Sequence, residues 1–316
     1  MAGVSETTVS FVFSKKRYVS PKLVERVQRA AQLLDYQPDA IAASMKMGLT
    51  NTVAVLTNDL ANPLQMKIIR SIEESAMEAG FFVNICGGSK NLDRYVTNLI
   101  SRRIDGVFFA SVPGKVEVRD IDNLIENNVA IVCGNYLLPQ ENRVSRVDID
   151  YEGGMKQAIT HLKGLGHKNI AYIDGFAKDY ELDEKRNSFL RYMKEMGETK
   201  PRLVYGFGPE KLTDVEGRLL AQQLIRKFPD TTAVICYSDL MAYGVLQQLH
   251  SFGFRVPEEI SVVGIENNIT SNFTNPPLTS LSFDRNEFAI EVIDALIRQI
   301  EEGELTQKRV QMQLCV

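Results

Sequence analysis

NTVAVLTNDLANPLQMKIIRSIEESAMEAG, residues 51–80, is the stretch on which the fold is read. Its opening, TVAVLTN (52–58), is an apolar run of strand length, too short for a stable helix and rich in β-branched residues. Asn62 then stands where a helix N-cap belongs and Pro63 suits the first turn. Ile69, Ile72, Ala76 and Ala79 recur at helical spacing until Gly80 stops the pattern. An apolar run with no polar alternation is a strand buried on both faces, which is the condition of a parallel sheet covered by helices.

The same unit repeats outward. FFVNICG (81–87), DGVFFAS (105–111), VAIVCGN (129–135), NIAYIDG (169–175), RLVYGF (202–207), TAVICYS (232–238) and ISVVGIE (260–266) read as further buried strands, with helical stretches near 91–103 and 117–128. Met155, Ala158, Ile159, Leu162 and Leu165 line one face of another helix that Gly166 closes. So many units overfill one core, so the reading is α/β with two doubly wound parallel-sheet lobes. Lobe 1 is expected over 51–149 plus 284–304 and lobe 2 over 150–283 plus 305–316, together the core 49–316. The turn-rich segment Asn272–Pro277 is read as a crossing between lobes.

Residues 1–48 are helical in pattern throughout. Ser5 is placed as an N-cap with Val4 and Val9 stapled across it. On that helix Val9, Val12 and Phe13 are expected inward and Glu6, Thr7, Ser10 and Phe11 outward. A second helix from Ser20-Pro21 is expected to bury Val24, Val27, Ala31 and Leu34. A short stretch, AIAASMK (40–46), ends at Gly48. This segment holds seven basic and four acidic residues, a balance of +3, which leaves −7 for the rest of a chain whose net charge is −4. Attraction to a polyanion would therefore reside in the first segment.

Composition excludes several classes. With 316 residues and 44% hydrophobic content the chain can fill more than one core. No apolar run reaches the roughly 18 residues a bilayer span needs, and MAGVSETTVS is unlike a secretion signal, so a cytoplasmic location and no membrane partner are expected. Cys86, Cys133, Cys236 and Cys315 form no CxxC pair and read as reduced thiols. His161, His167 and His250 have no metal spacing and read as structural. No GxGxxG follows a strand, no phosphate-cradling GxxxxGK[ST] occurs, and GFG (206–208) runs into PEKL, so neither a cofactor nor catalysis is expected.

Seven segments in order then resemble one family across essentially the whole chain. AGVSETTVSFVF (2–13) is similar to the turn and recognition helix of the LacI/GalR repressors, and LLDYQPDAIAASMKMGLTNTVAVLTNDLANP (33–63) to their hinge and first core strand. RRIDGVFFAS, HLKGLGHKNIAYIDG, SDLMAYGVLQQL, VPEEISVVGIEN and NPPLTSLSFD resemble the family's later signatures. The resemblance implies a partial all-α helix-turn-helix headpiece and hinge (1–48) before a periplasmic-binding-protein-like core. It also implies a homodimer on pseudo-palindromic operator DNA and a sugar or sugar phosphate effector between the lobes, with a purine or a phosphoprotein corepressor as alternatives.

Site residues follow from the same resemblance. Glu6, Thr7, Ser10 and Phe11 would face base edges in the major groove, a helix-sized channel. Phe11 stands where many relatives carry a basic residue, and packing inside the headpiece is its other reading. Met45 would wedge into the minor groove beside the small Ala42, or pack hinge on hinge. The effector would meet Asn62, Leu64, Asn135, Arg186, Phe207, Ser238, Asp239, Glu266 and Phe283. Asn62 and Asp239 also read as helix caps, Arg186 as a solvated charge and Phe207 as core. Glu266-Asn267 replaces an Asp-Asp pair common in the family, which shortens the pocket and removes one anion. Relatives carry a further helix ahead of AGVS. The expectation for the chain as written is therefore weak operator binding and loose order of 1–48 off DNA, leaving an effector-binding protein as the alternative. A plain periplasmic sugar-binding protein would lack SETTVSFVF and the hinge.

Overall fold

The computed structural model describes residues 2–14, 17–36, 48–87, 92–111, 116–135, 138, 141–180, 184–208 and 212–316. They form two compact units, Met1–Asn51 and Thr52–Val316. In the first, α1 (Glu6–Ser14) and α2 (Pro21–Leu33) carry the expected helices. Ser5 Oγ accepts from the Thr8 amide at 3.2 Å and so caps α1. Val12 and Val27 are buried, whereas Phe13, Leu33 and Leu34 are exposed. The inward placement of Phe13 and Leu34 is thus corrected: Phe13 instead lies against Tyr36, with ring centroids 6.0 Å apart.

The second unit opens with β1 (Thr52–Thr57) and α3 (Pro63–Glu78), as the sequence predicts. Asn62 Oδ1 accepts from the amides of Leu64 at 2.9 Å and Gln65 at 3.3 Å. Pro63 costs nothing there because a first-turn amide has no helical partner. Leu64, Ile68, Ile69, Ile72 and Ala76 form the buried stripe. There follow β2 (Phe82–Gly87), α4 (Leu92–Ser101), β3 (Gly106–Phe109), α5 (Val118–Glu126), β4 (Ala130–Cys133) and β5 (Ser145–Ile149). The second lobe runs α6 (Tyr151–Gly164), β6 (Ile170–Ile173), α7 (Glu184–Glu195), β7 (Arg202–Val204), α8 (Asp214–Lys227), β8 (Ala233–Cys236), α9 (Asp239–Ser251), β9 (Ser261–Ile265) and β10 (Thr279–Phe283). The chain ends with α10 (Arg285–Glu302), β11 (Gln307–Val310) and β12 (Met312–Cys315).

Two six-stranded sheets result, ordered β11-β5-β4-β3-β1-β2 and β12-β10-β9-β8-β6-β7. Every pair is parallel except β10 with β12. Within the second lobe α8 and α9 pack backbone on backbone. A side chain at Gly217 would strike the Met241 carbonyl, and one at Gly244 the Asp214 carbonyl.

Two boundaries differ from expectation. Asn272–Pro277 is not a crossing: it begins inside a 3-10 turn (Ile269–Phe273) and leads into β10 of the same lobe, where the Leu278 amide donates to the Ser271 carbonyl at 2.9 Å. The last return to the second lobe falls at Met312 rather than Leu305, because β11 adds to the first sheet beside β5. The crossings are therefore at Asp150, at Asp284 and between Val310 and Met312. Since β5, β10 and β11 all leave their sheets at their carboxyl ends, the carboxyl ends of both parallel sheets face the boundary between lobes.

His167 fastens the opposite end of the second sheet, Nδ1 lying 3.0 Å from Thr232 Oγ1 and Nε2 3.0 Å from Ser261 Oγ. Burial holds its pKa below the usual histidine value, with His161 adding to the effect. A histidine kept neutral in the fold contributes stability above the unfolded value of 6.5 that is lost as pH falls. His167→Gln is expected to flatten the fall in urea midpoint between about pH 7 and pH 5, measured by equilibrium unfolding.

Candidate functional site

The carboxyl ends of the strands place most of the expected effector residues along the interlobe boundary, with unequal roles. In the first lobe Asn62 caps α3 and Leu64 is core. Asn135, just past β4 with φ of 49°, is clamped onto β5: its Oδ1 accepts from the Ile149 amide at 2.6 Å and its Nδ2 donates to the Ile149 carbonyl at 2.8 Å. The same Nδ2 reaches across to Glu184 Oε2 at 3.0 Å.

In the second lobe Ser238 caps α9, its Oγ accepting from the Met241 amide at 3.3 Å. Asp239 is fully buried with both oxygens engaged. Oδ2 accepts from the Asn268 amide and Ser271 Oγ, each at 2.7 Å, and Oδ1 from Ser280 Oγ at 2.6 Å. It is neither a cap nor an open ligand group, because it organises the loop that carries Glu266. Phe207 is not core, since it is 53% exposed while its amide donates to Glu216 Oε1 at 2.7 Å. Phe283 is buried, edge-on to Phe288 at 5.7 Å, and Phe288 meets Phe108 at 6.0 Å, an aromatic seam between lobes.

Arg186 and its neighbour Lys185 take different partners. Arg186 is 4% exposed and turns into its own lobe, Nη1 donating to Asp174 Oδ2 at 3.0 Å and to the Ala177 carbonyl at 3.1 Å. It is thus not a solvated charge. Lys185, next in the chain, donates from Nζ to the Tyr237 carbonyl at 3.1 Å. Its ammonium lies over the rings of Tyr237 at 3.9 Å and Tyr151 at 4.7 Å. Phe176 extends this wall, edge-on to Tyr237 at 5.3 Å and stacked on Tyr180 at 4.3 Å. Sequence reasoning missed Lys185 because adjacent helical residues differ by about 100° in direction, and the start of α7 was not known.

Glu266 faces Lys185. Burial pushes its carboxyl up to about 7, against the pull of Lys185, with Asp239 adding to the rise. Asn268 Nδ2 donates to its Oε2 at 2.9 Å. Its backbone has φ of 125°, a strained conformation for a residue with a side chain, and Arg285 of α10 secures it by donating to the Glu266 carbonyl at 2.6 Å and that of Asn267 at 3.1 Å. Lys67 of α3 is lowered by burial and by Arg285, and Asp239 and Glu266 pull the other way. The boundary thus gathers three cations, two carboxylates and a tyrosine wall. A small polar ligand could there exchange water for fixed partners.

In the first unit Glu6 and Thr7 are exposed and Phe11 is half-buried, the Arg17 guanidinium lying 5.4 Å from its ring centre. Ser10 lies on α1. Ala42 and Met45 fall outside the described residues.

The comparisons agree with this architecture. Residues 1–39 match bacterial regulatory proteins of the lacI family, and residues 159–316 match a periplasmic binding protein-like domain. The chain belongs to the lacI family. The HTH-type transcriptional repressor PurR of Pasteurella multocida (strain Pm70) is 29% identical over 310 residues, covering 96% of this chain and 90% of that one. A transcriptional regulator CelR–cellobiose complex superposes with a TM-score of 0.75 at 28% identity, over 100% of this chain and 96% of the other. A lac repressor dimer bound to operator and the anti-inducer ONPF shares the fold with a TM-score of 0.80 at 23% identity, over 100% and 95% of the two chains. No described helix is long and apolar enough to cross a membrane.

Two outcomes follow for the paired basic residues. Arg186→Met leaves Asp174 buried without its ion pair and should cost about 3–5 kcal/mol in urea unfolding, whereas Lys185→Met should cost about 1 kcal/mol or less. Glu266, raised in the fold, contributes stability below its ordinary value of 4.5 that is lost as pH climbs through about 7. Glu266→Gln should remove that fall, and Lys185→Met should drive the Glu266 carboxyl titration higher in carbon-13 NMR.

Proposed function

We propose that this chain is a cytoplasmic, homodimeric, sequence-specific DNA-binding repressor whose grip on operator DNA is set by a small molecule held between the core lobes. The observation that carries the effector half is the convergence on one boundary of Lys185 between two tyrosines, the buried Glu266, and Arg285 and Lys67 from the facing lobe. Tyr151 and Tyr237 supply the flat face a sugar ring or planar base packs on, Glu266 accepts hydroxyl protons, and Lys185 suits a hydroxyl or a phosphate. Asn135, Phe207 and Ser238 border that volume. Asn62, Leu64, Arg186, Asp239 and Phe283 are assigned to holding its walls. A sugar or sugar phosphate remains the proposed effector, in keeping with the cellobiose held by the CelR relative.

For the DNA half, Glu6, Thr7, Ser10 and Phe11 are assigned to base edges, with Ala42 and Met45 at the minor groove. Basic residues of 1–48 supply the phosphate contacts. Selection from a randomised duplex pool followed by titration at several salt concentrations tests this. An enriched palindrome, a log–log salt slope of several units and relaxed sequence preference in Glu6→Ala are expected. Retention of no duplex leaves the core as an effector-binding protein and overturns the repressor reading. Thermal shift against neutral sugars, sugar phosphates and purine bases tests the other half: one class should raise the midpoint, and Lys185→Met should abolish that rise.

A further inference from the structure

The lobes are joined by more than the three crossings. Glu184, the first residue of α7, belongs to the second lobe, yet both its oxygens are taken by the first. Oε2 accepts from Asn135 Nδ2 at 3.0 Å, and Oε1 lies 3.4 Å from Arg309 Nη2 on β11. Each partner has further contacts in turn. Asn135 is fixed to β5 by the paired bonds to Ile149, and its own amide donates to Asp148 Oδ1 at 2.7 Å. Arg309 also reaches Asp150 Oδ1 at 3.6 Å, the carboxylate that caps α6 by accepting from the Gly153 amide at 3.0 Å.

Glu184 sits one peptide bond from Lys185, in the first turn of α7. A helix turn is stiff, so a ligand that repositions Lys185 tilts the Glu184 carboxylate against its two partners. A half-buried carboxylate depends on such partners more than an exposed one does, because water replaces them poorly when they leave.

We propose that Glu184 is an interlobe latch, a positioning residue that sets how far the lobes are already together before any ligand binds and so scales the affinity of the cleft. A binding-competent arrangement populated to a given fraction lowers apparent affinity by that fraction, so weakening the latch weakens binding with no ligand contact removed. The latch rests on the two-lobe architecture alone, and its test uses no ligand.

The full chain, carrying spin labels introduced as unnatural amino acids at exposed positions Glu126 and Thr199 on opposite lobes, is examined by pulsed EPR. Glu184→Ala should raise the long-distance population about threefold or more. The near-isosteric Glu184→Gln, which keeps an acceptor for Asn135 and loses the charge facing Arg309, should give a smaller rise, as should Arg309→Gln. The double variant Glu184→Ala/Arg309→Gln should shift by less than the sum of the two single variants, because the contact they share is already gone in Glu184→Ala. Distances unchanged in Glu184→Gln and Arg309→Gln, with urea midpoints showing both folded, overturn the latch. Additive shifts in the double variant overturn it as well, since they make the two residues independent.

Discussion

Asp150 is the point on which the core turns. Its amide donates to the Val310 carbonyl at 2.8 Å, tying the first crossing to the third, and its carboxylate caps α6 where the second lobe begins. Three crossings at the carboxyl ends of parallel strands keep the loops that carry polar groups face to face. An antiparallel sheet could not provide this, because alternate strands would send their loops to the far end. Parallel pairing in both sheets is thus the condition for a cleft lined from both sides.

Charge burial divides the site into groups that hold and groups that face. Arg186 pairs with Asp174, and Asp239 meets its three donors, inside one lobe, so they stiffen the loops after β6 and β9. Glu266 feels the charge of Lys185 in its own lobe and of Arg285 in the other. The strained backbone of Glu266 persists because the Asp239 network on one side and Arg285 on the other over-determine it. A ligand that replaces water among these groups would meet partners already in position, at little cost in reorganisation.

Most of the fold was legible because its causes are local. TVAVLTN, Asn62-Pro63 and the recurrence of Ile69, Ile72 and Ala76 state a strand, a cap and a buried face within thirty residues, and β1 and α3 follow them, with Ala79, read on the same stripe, left exposed at the helix end. The strands of the final segment were less legible. QKRV (307–310) is exposed over three of its four residues, so it carries no hydrophobic pattern, and only its pairing with β5 makes it a strand of the first lobe. Asn272–Pro277 has the composition of a crossing, but the bond from Leu278 to Ser271 folds it back into its own lobe.

The sequence by itself determined that the chain alternates buried strands with amphipathic helices, that its first segment is helical and basic, and that a family order of segments runs through it. Periodicity, caps and charge balance are properties of neighbours along the chain. Only the tertiary structure decided that Lys185 lies between Tyr151 and Tyr237 while Arg186 pairs with Asp174, that Asp239 serves a loop, and that Glu184 answers to Asn135 and Arg309 of the other lobe. Those outcomes depend on which face of a helix meets which strand end, across separations of 49 residues for Asn135 and Glu184, and no local pattern encodes them.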